Sequence, residues 1–407
     1  MLQSGLSGKF SVKEPGLLLP LLLITSFAFV QTFPLLNTGG NGNETRRAIS
    51  FDVFETRLFI YEFLALILFG ELLLRYTSTD ARMRKLIRVV IAVGAVSALF
   101  GIVRREIGDG LQRWILPQVV NGSGYGQFIN RNHFAFLMEM SLGLTVSQIA
   151  IGVQGKGYQA IYILLAVVMW IALVRTNSRG GILSTFVQTL FFTGIFYLRR
   201  KPQWSFLKAN GFSFIKLVAR RAALILCLVI ALGMGLVLAA GVAPVERLVT
   251  VPGELIATRK PHNEIYRVDI WRATWQLVRQ HPMVGVGFAG YQVAITSHHD
   301  SSGKWVPQQA HNDYLELLAS GGFVAVTLGI WFVVAFIIRA RRQMQSRDLF
   351  VRASCVGALT GIVGIAFHSF VDFGLHVTIN ALVLTVLIVI AVVRVEKRPS
   401  VAVAAHS

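Results

Sequence analysis

Apolar residues in this chain arrive in blocks of roughly 18 to 25, the length a helix needs to cross a bilayer, and charged residues crowd into the gaps between blocks. The pattern predicts helices near 16–36, 58–74, 87–103, 132–153, 158–175, 180–198, 222–243, 313–338, 349–369 and 377–393. The expected fold is an all-α polytopic integral membrane protein of about ten (10–12) transmembrane helices, with residues 1–407 in one membrane domain. The 58–74 block carries Glu62 and Glu71, and Trp114 to Val120 fits a re-entrant or interfacial piece. No small-residue cleavage site follows the first block, which reads as a retained helix rather than a signal peptide.

The gaps also orient the helices. Lys9 and Lys13, the run from Arg75 to Arg88, the segment from Arg199 to Arg221, the cluster Arg339, Arg341, Arg342 and Arg347, and the tail from Arg394 fall on alternate connections. The positive-inside rule makes that face cytoplasmic, with both termini inside. The segments 37–57, 104–131, 175–180, 244–312 and 370–376 are then periplasmic, and 244–312 is the one long loop. By this topology the outer cations are 14 arginines and 2 lysines. A guanidinium fork grips phosphate oxygens in two places at once, so the bias suggests a phosphorylated or pyrophosphorylated ligand; contact with lipid headgroups is the other account.

Composition narrows the class. With 54% hydrophobic and 14% charged residues, the chain is too apolar for one soluble core. The formal charge of +19 would point to nucleic acid in a soluble protein. Here it orients helices, and nucleic acid is not an expected partner. Cys227 and Cys355 both lie inside apolar blocks, which leaves neither a disulfide framework nor a thiolate metal site.

Inside the long loop, Asn263 to His281 places Val268, Trp271, Trp275 and Val278 at helical spacing. This predicts an amphipathic helix with Arg267 and Arg272 flanking its apolar stripe, ending at His281–Pro282. Gly285, Gly287 and Gly290 follow in a tight loop where backbone can approach a ligand. His298, His299 and Asp300 fit no zinc spacing and read as a polar loop.

Directly before the 313–338 block stands Gln308 to Gly322, which carries His311, Asn312 and Asp313. Neutral imidazole is available near pH 7, so His311 is the best candidate for a general base. Asn312 and Asp313 would either orient its ring or cap the helix that follows, with the cap favoured. Arg131, with Asn132 and His133, opens another helix on the same side and suits an anion. Glu139 in that helix is expected to pair with a neighbouring arginine, and Glu62 and Glu71 likewise. His368, Asp372 and His376 form either a second acid/base or acceptor-binding cluster or a set of satisfied interfacial polar groups.

In order, Gly124-Tyr125-Gly126 with Asn130 to Ala135, then Ser178-Arg179-Gly180-Gly181, then Arg267 with Trp271 and the Pro282, Gly285, Gly287 loop, then Ala310 to Leu315 resemble the O-antigen ligase and polymerase superfamily. The resemblance spans roughly Gly122 to Gly322. It implies a bacterial inner-membrane glycosyltransferase that takes a glycan from undecaprenyl pyrophosphate on the periplasmic side. A ligase would deliver it to lipid A core, and a polymerase to another carrier-linked repeat unit. It also implies catalysis by His311 and pyrophosphate binding by Arg179 and Arg267, with Arg247 or Arg272 open as a further binding arginine. No acidic metal-binding motif is found on the outer face, so the expected reaction is metal-independent, cofactor-free and inverting. A transporter of the same lipid-linked glycan is the alternative of another class; against it, the sequence has no pseudo-symmetric halves or paired broken helices.

Overall fold

The described blocks fold where their apolar runs place them. The computed structural model describes residues 14–37, 46–107, 124–151, 156–199, 267–298 and 306–395. The helices are α1 (Pro15–Gln31), α2 (Val53–Tyr76), α3 (Asp80–Ile107), α4 (Arg131–Ile151), α5 (Lys156–Arg175), α6 (Arg179–Arg199), α7 (Arg267–Gln280), the short α8 (Tyr291–Ala294), α9 (Asp313–Met344), α10 (Leu349–His368) and α11 (Thr378–Val392). A two-stranded antiparallel pair, β1 (Pro34–Asn37) with β2 (Arg46–Ala48), links α1 to α2. Nine of the ten expected blocks coincide with a described helix. The tenth, 222–243, lies outside the described residues, as do Trp114 to Val120, Cys227 and the loop up to residue 266.

Four described helices are long and apolar enough to cross a membrane: α3, α5, α9 and α10; α1 and α11 are apolar but shorter. Their outward faces leave large apolar side chains uncovered, among them Val96, Leu99, Leu164, Ile330 and Val334. An apolar belt of this kind belongs in lipid.

α4 is the enclosed helix. Phe134 to Met140 are almost wholly buried, and Ser141, Thr145 and Ser147 are buried with them. Those polar residues lower its hydropathy, and they are tolerated because helices rather than lipid surround them. Its main partner is α10, along a line of small residues: a Cβ at Gly143 would meet the Gly361 backbone under 3.0 Å, and one at Gly357 would meet Ser147. Close approach through small residues is how helices associate where no hydrophobic drive separates protein from solvent. It brings the N-terminus of α4 beside the C-terminus of α10.

α9 is broken at Gly322, whose φ of 61° and ψ of −162° leave the helical region. The break frees backbone groups that must be paired elsewhere. The loop after α7 pairs them. Val286 N–H donates to Ala319 O at 3.0 Å and Gly287 N–H to Ser320 O at 2.9 Å, while Phe323 N–H donates to Pro282 O at 2.9 Å. Gln31, fully buried, donates to Val284 O at 2.7 Å and accepts from Phe288 N–H at 3.2 Å. Gly285 and Gly322 have positive φ, and a Cβ on either would meet the opposite chain under 3.0 Å. The close backbone approach expected of the glycine loop is made, among the described residues, to the broken helix. Interlocked in this way, α7 sits fixed over the start of α9.

Candidate active site

The turn after α10 folds tightly, with Val371 N–H and Asp372 N–H both donating to His368 O at 2.9 and 3.1 Å. It carries the Asp372 side chain, 1% exposed, into the centre of the site. Five groups from four segments surround this carboxylate. Oδ2 accepts from Arg267 Nη2 at 3.1 Å and from Asn132 Nδ2. Oδ1 accepts from the Phe373 N–H at 2.9 Å and lies 3.4 Å from His311 Nδ1 and 3.8 Å from His133 Nε2. Burial by itself raises the Asp372 carboxyl; the His311 imidazole, the Arg267 charge and the Phe373 N–H outweigh it and hold the group well below the usual carboxylate range.

His311 is placed by its backbone. The residue before it is held from both sides: Ala310 N–H donates to Glu316 Oε2 at 2.7 Å, and Ala310 O accepts from Trp271 Nε1 at 2.9 Å. The residue after it, Asn312, caps α9 by accepting from Tyr314 N–H and Leu315 N–H at 3.1 and 3.0 Å. Between these anchors His311 takes a φ of 50°, a left-handed conformation that a side chain adopts only when its surroundings impose it. The ring stands edge-on to Phe373 at 4.7 Å, with Nδ1 toward Asp372. A proton on Nδ1 facing the carboxylate leaves Nε2 with its lone pair, the form a general base requires.

Replacing Trp271 by phenylalanine keeps an aromatic ring but deletes the N–H on Ala310 O. Transfer should then slow about tenfold in kcat, in line with the cost of small misplacements at a reacting centre, with the donor KM unchanged. Steady-state kinetics check this, and a rise confined to KM would refute the role in placing His311.

Arg267 opens α7 and reaches Asp372, as expected of a residue beside the site. The buried face of that helix is Ile270, Ala273, Thr274, Leu277 and Val278, rotated from the stripe expected from sequence; Trp271 is half-buried and Trp275 is exposed. The rotation follows from what covers the helix: α9 and the segment around Tyr291, whose hydroxyl meets Thr274 Oγ1 at 2.7 Å. Arg272 consequently points away, paired with Asp269 at 3.4 Å, and is no neighbour of Asp372. Arg247 lies outside the described residues, with His299 and Asp300.

Arg131 is exposed at the first position of α4, next to Asn132, whose side chain bonds Asp372. Arg179 is half-buried at the first position of α6, capped by Ser178, whose Oγ accepts from Gly181 N–H at 3.1 Å. The next residue, Gly180, packs against His368 and Val371, so this helix starts beside the Asp372 turn. Other cations at this end of the bundle hold it together: Arg104 donates to Gly126 O, Arg105 to Arg175 O, and Arg175 pairs with Glu106.

The three residues of the 368–376 turn separate. Asp372 joins His311 in a single site. His368 turns into the bundle, its Nδ1 2.7 Å from Glu139 Oε1. Glu139 therefore pairs with a histidine rather than an arginine, because it faces α10 and not the outer rim. Glu71 does pair with Arg75, at 3.1 Å. His376 Nε2 lies 3.6 Å from Asp313 Oδ1 and 3.5 Å from Glu316 Oε1, and the backbone N–H of Asp313 donates to Ser369 O at 2.9 Å. Asp313 thus ties α9 to α10, and the carboxylate beside His311 is Asp372. Sequence placed Asp372 on the same side of the helices as His311, which the contact between them bears out; no local pattern in the turn from Ser369 to His376 marks its distance from His311.

Residues 164–330 match a protein family described as O-Antigen ligase. No curated protein sequence matches the chain. The matched stretch contains Arg179, Arg267, Trp271 and His311, and stops before the turn that carries Asp372. The match bears out the resemblance to the O-antigen ligase superfamily, and with the apolar helices it supports an O-antigen ligase- or polymerase-like membrane enzyme.

Proposed function

We propose that the protein transfers a glycan from undecaprenyl pyrophosphate to an acceptor hydroxyl on the periplasmic face of the inner membrane, with lipid A core as acceptor. The observation that carries this reading is the convergence of His311 and Arg267, from separate segments of the chain, on one buried carboxylate. In the reaction His311 Nε2 takes the proton of the acceptor hydroxyl as its oxygen attacks the anomeric carbon. The bond from that carbon to the pyrophosphate oxygen breaks on the opposite face, so the configuration inverts. The leaving pyrophosphate keeps the bonding electrons, and guanidinium groups receive its charge. Arg267 is the first of these and Arg179, at the neighbouring helix start, the second; Arg131 borders the same rim.

Orientation is supported by the other end of the bundle, where Arg339, Arg342 and Arg394 line one cavity with Glu14. The positive-inside rule puts such a cluster in the cytoplasm. Transport of the same lipid is the weaker account: the backbone groups freed at the break in α9 are paired by the glycine loop.

The test is transfer in proteoliposomes with an undecaprenyl pyrophosphate glycan, with lipid A core or a second carrier-linked glycan as acceptor, with and without EDTA. One ligated product that survives EDTA supports the reading. A ladder of carrier-linked products makes the protein a polymerase, loss with EDTA refutes metal independence, and donor binding with no covalent product makes it a transporter. In the same assay Arg267→Ala should lower kcat/KM for the donor about a hundredfold, the usual cost of one preorganised donor to a developing charge.

A further inference from the structure

Beneath Asp372 lies a buried polar pair that the proposed chemistry does not use. Glu139 on α4 and His368 on α10 are 0% and 1% exposed and meet at 2.7 Å. The imidazole stacks on Phe136 of α4 at 4.3 Å between centroids. Its other edge faces α6: a Cβ added at Gly180 would meet His368 Nε2 under 3.0 Å. The carbonyl of the same histidine receives the N–H groups of Val371 and Asp372. Gln188 of α6 reinforces the junction, donating to Glu139 O at 3.0 Å and to Thr360 O at 3.1 Å. One histidine therefore touches the helix that begins with Arg179, anchors the turn that presents Asp372, and is itself fixed by Glu139.

We infer that Glu139 and His368 are positioning residues that set the start of α6, and with it Arg179, against the Asp372 turn so that Arg179 and Arg267 address the same anion. The inference rests on the proposed pyrophosphate site. A polar group inside a membrane bundle is costly unless it is paired, and Glu139 Oε1 and His368 Nδ1 pair with each other at the contact of the three helices whose relative placement the anion site requires. The bond needs a correctly placed acceptor on residue 139 and no charge there, which separates positioning from proton transfer.

The experiment is a double-mutant comparison in the purified full-length protein, read both as donor KM and kcat in transfer and as the Kd of inorganic pyrophosphate. Glu139→Leu should raise KM and Kd about tenfold, the scale of coupling between contacting groups, and leave the shape of the kcat–pH profile unchanged. Glu139→Gln, whose amide oxygen still accepts from His368, should restore both. Arg179→Ala should cost about a hundredfold in pyrophosphate affinity in the wild-type background and only about tenfold beside Glu139→Leu, while the cost of Arg267→Ala stays the same in both. Equal costs for Arg179→Ala in the two backgrounds would overturn the inference, as would failure of glutamine to rescue. Should Glu139→Leu not fold, Gly180→Ala takes its place, because its Cβ pushes the start of α6 off His368, and the same selective loss at Arg179 is expected. If wild type binds pyrophosphate with this coupling but transfers nothing, the reaction falls and the positioning role stands; transfer without coupling leaves the reaction standing and overturns the positioning role.

Discussion

Replacing His311 by glutamine should reduce glycan transfer by about 100- to 10,000-fold, the worth of a positioned general base, while donor binding changes little. Glutamine matches the imidazole in reach and can still donate toward Asp372, so the anion site built by Arg267 keeps its carboxylate partner. What glutamine lacks is a nitrogen able to accept a proton. The loss should therefore lie in kcat. Thermal unfolding in detergent establishes that the variant is folded, since His311 is only partly buried, with 30% of its side chain exposed, and its backbone is held by Ala310 and Asn312 rather than by its own ring. Retention of most of the transfer activity would remove His311 from the chemistry and favour a protein that binds or moves the lipid without reacting it.

Asp372→Asn should be nearly as damaging, about a thousandfold in kcat, because an amide in place of the carboxylate behind a catalytic histidine no longer fixes the tautomer. Geometry makes the substitution worse here. Both carboxylate oxygens accept: Oδ1 from the Phe373 N–H, Oδ2 from Arg267 and Asn132. Whichever way the asparagine turns, its NH2 meets a donor, and an unpaired buried donor is costly. Stability should follow with a defined pH dependence. The carboxyl is held below its usual range in the folded protein, so its contribution is fully present above the ordinary aspartate pKa of about 4 and is lost as pH falls through the lower folded value. The melting-temperature gap between wild type and Asp372→Asn should be constant from about pH 8 to about pH 5 and close on acidification below about pH 4. A gap that widens toward acid would mean that Asp372 is not the ionised partner of Arg267 and His311.

The two substitutions differ in how visible their targets are in the sequence. His311 stands at a marked place, directly before a membrane-length apolar block and beside a helix-capping Asn312, and the cap forms as the local pattern predicts. Arg267 is similarly open to inspection at the head of an amphipathic segment. Asp372 sits in a short turn of aromatic and small residues with nothing around it to single it out. Its importance comes from α4 and α10 packing through Gly143, Gly357 and Gly361, which carries the turn after α10 over the start of α4 and against the loop before α9. Glu139 is the same case in reverse: the sequence shows a carboxylate in a span and no guide to which neighbouring helix supplies its partner.

The sequence by itself determined the nine described helices it predicted and the class, because length and hydropathy are properties of consecutive residues. It also brought out His311, Arg179 and Arg267, through short segments whose order carries the family resemblance. Only the tertiary structure decided which groups meet. It turned Arg272 away and Arg267 inward by covering a different face of α7, assigned the glycine loop to the break in α9, gave Glu139 to His368, and put Asp372 at the centre. Each of those outcomes depends on the distance between residues far apart in the chain, which is set by how helices pack and is written in no single stretch of it.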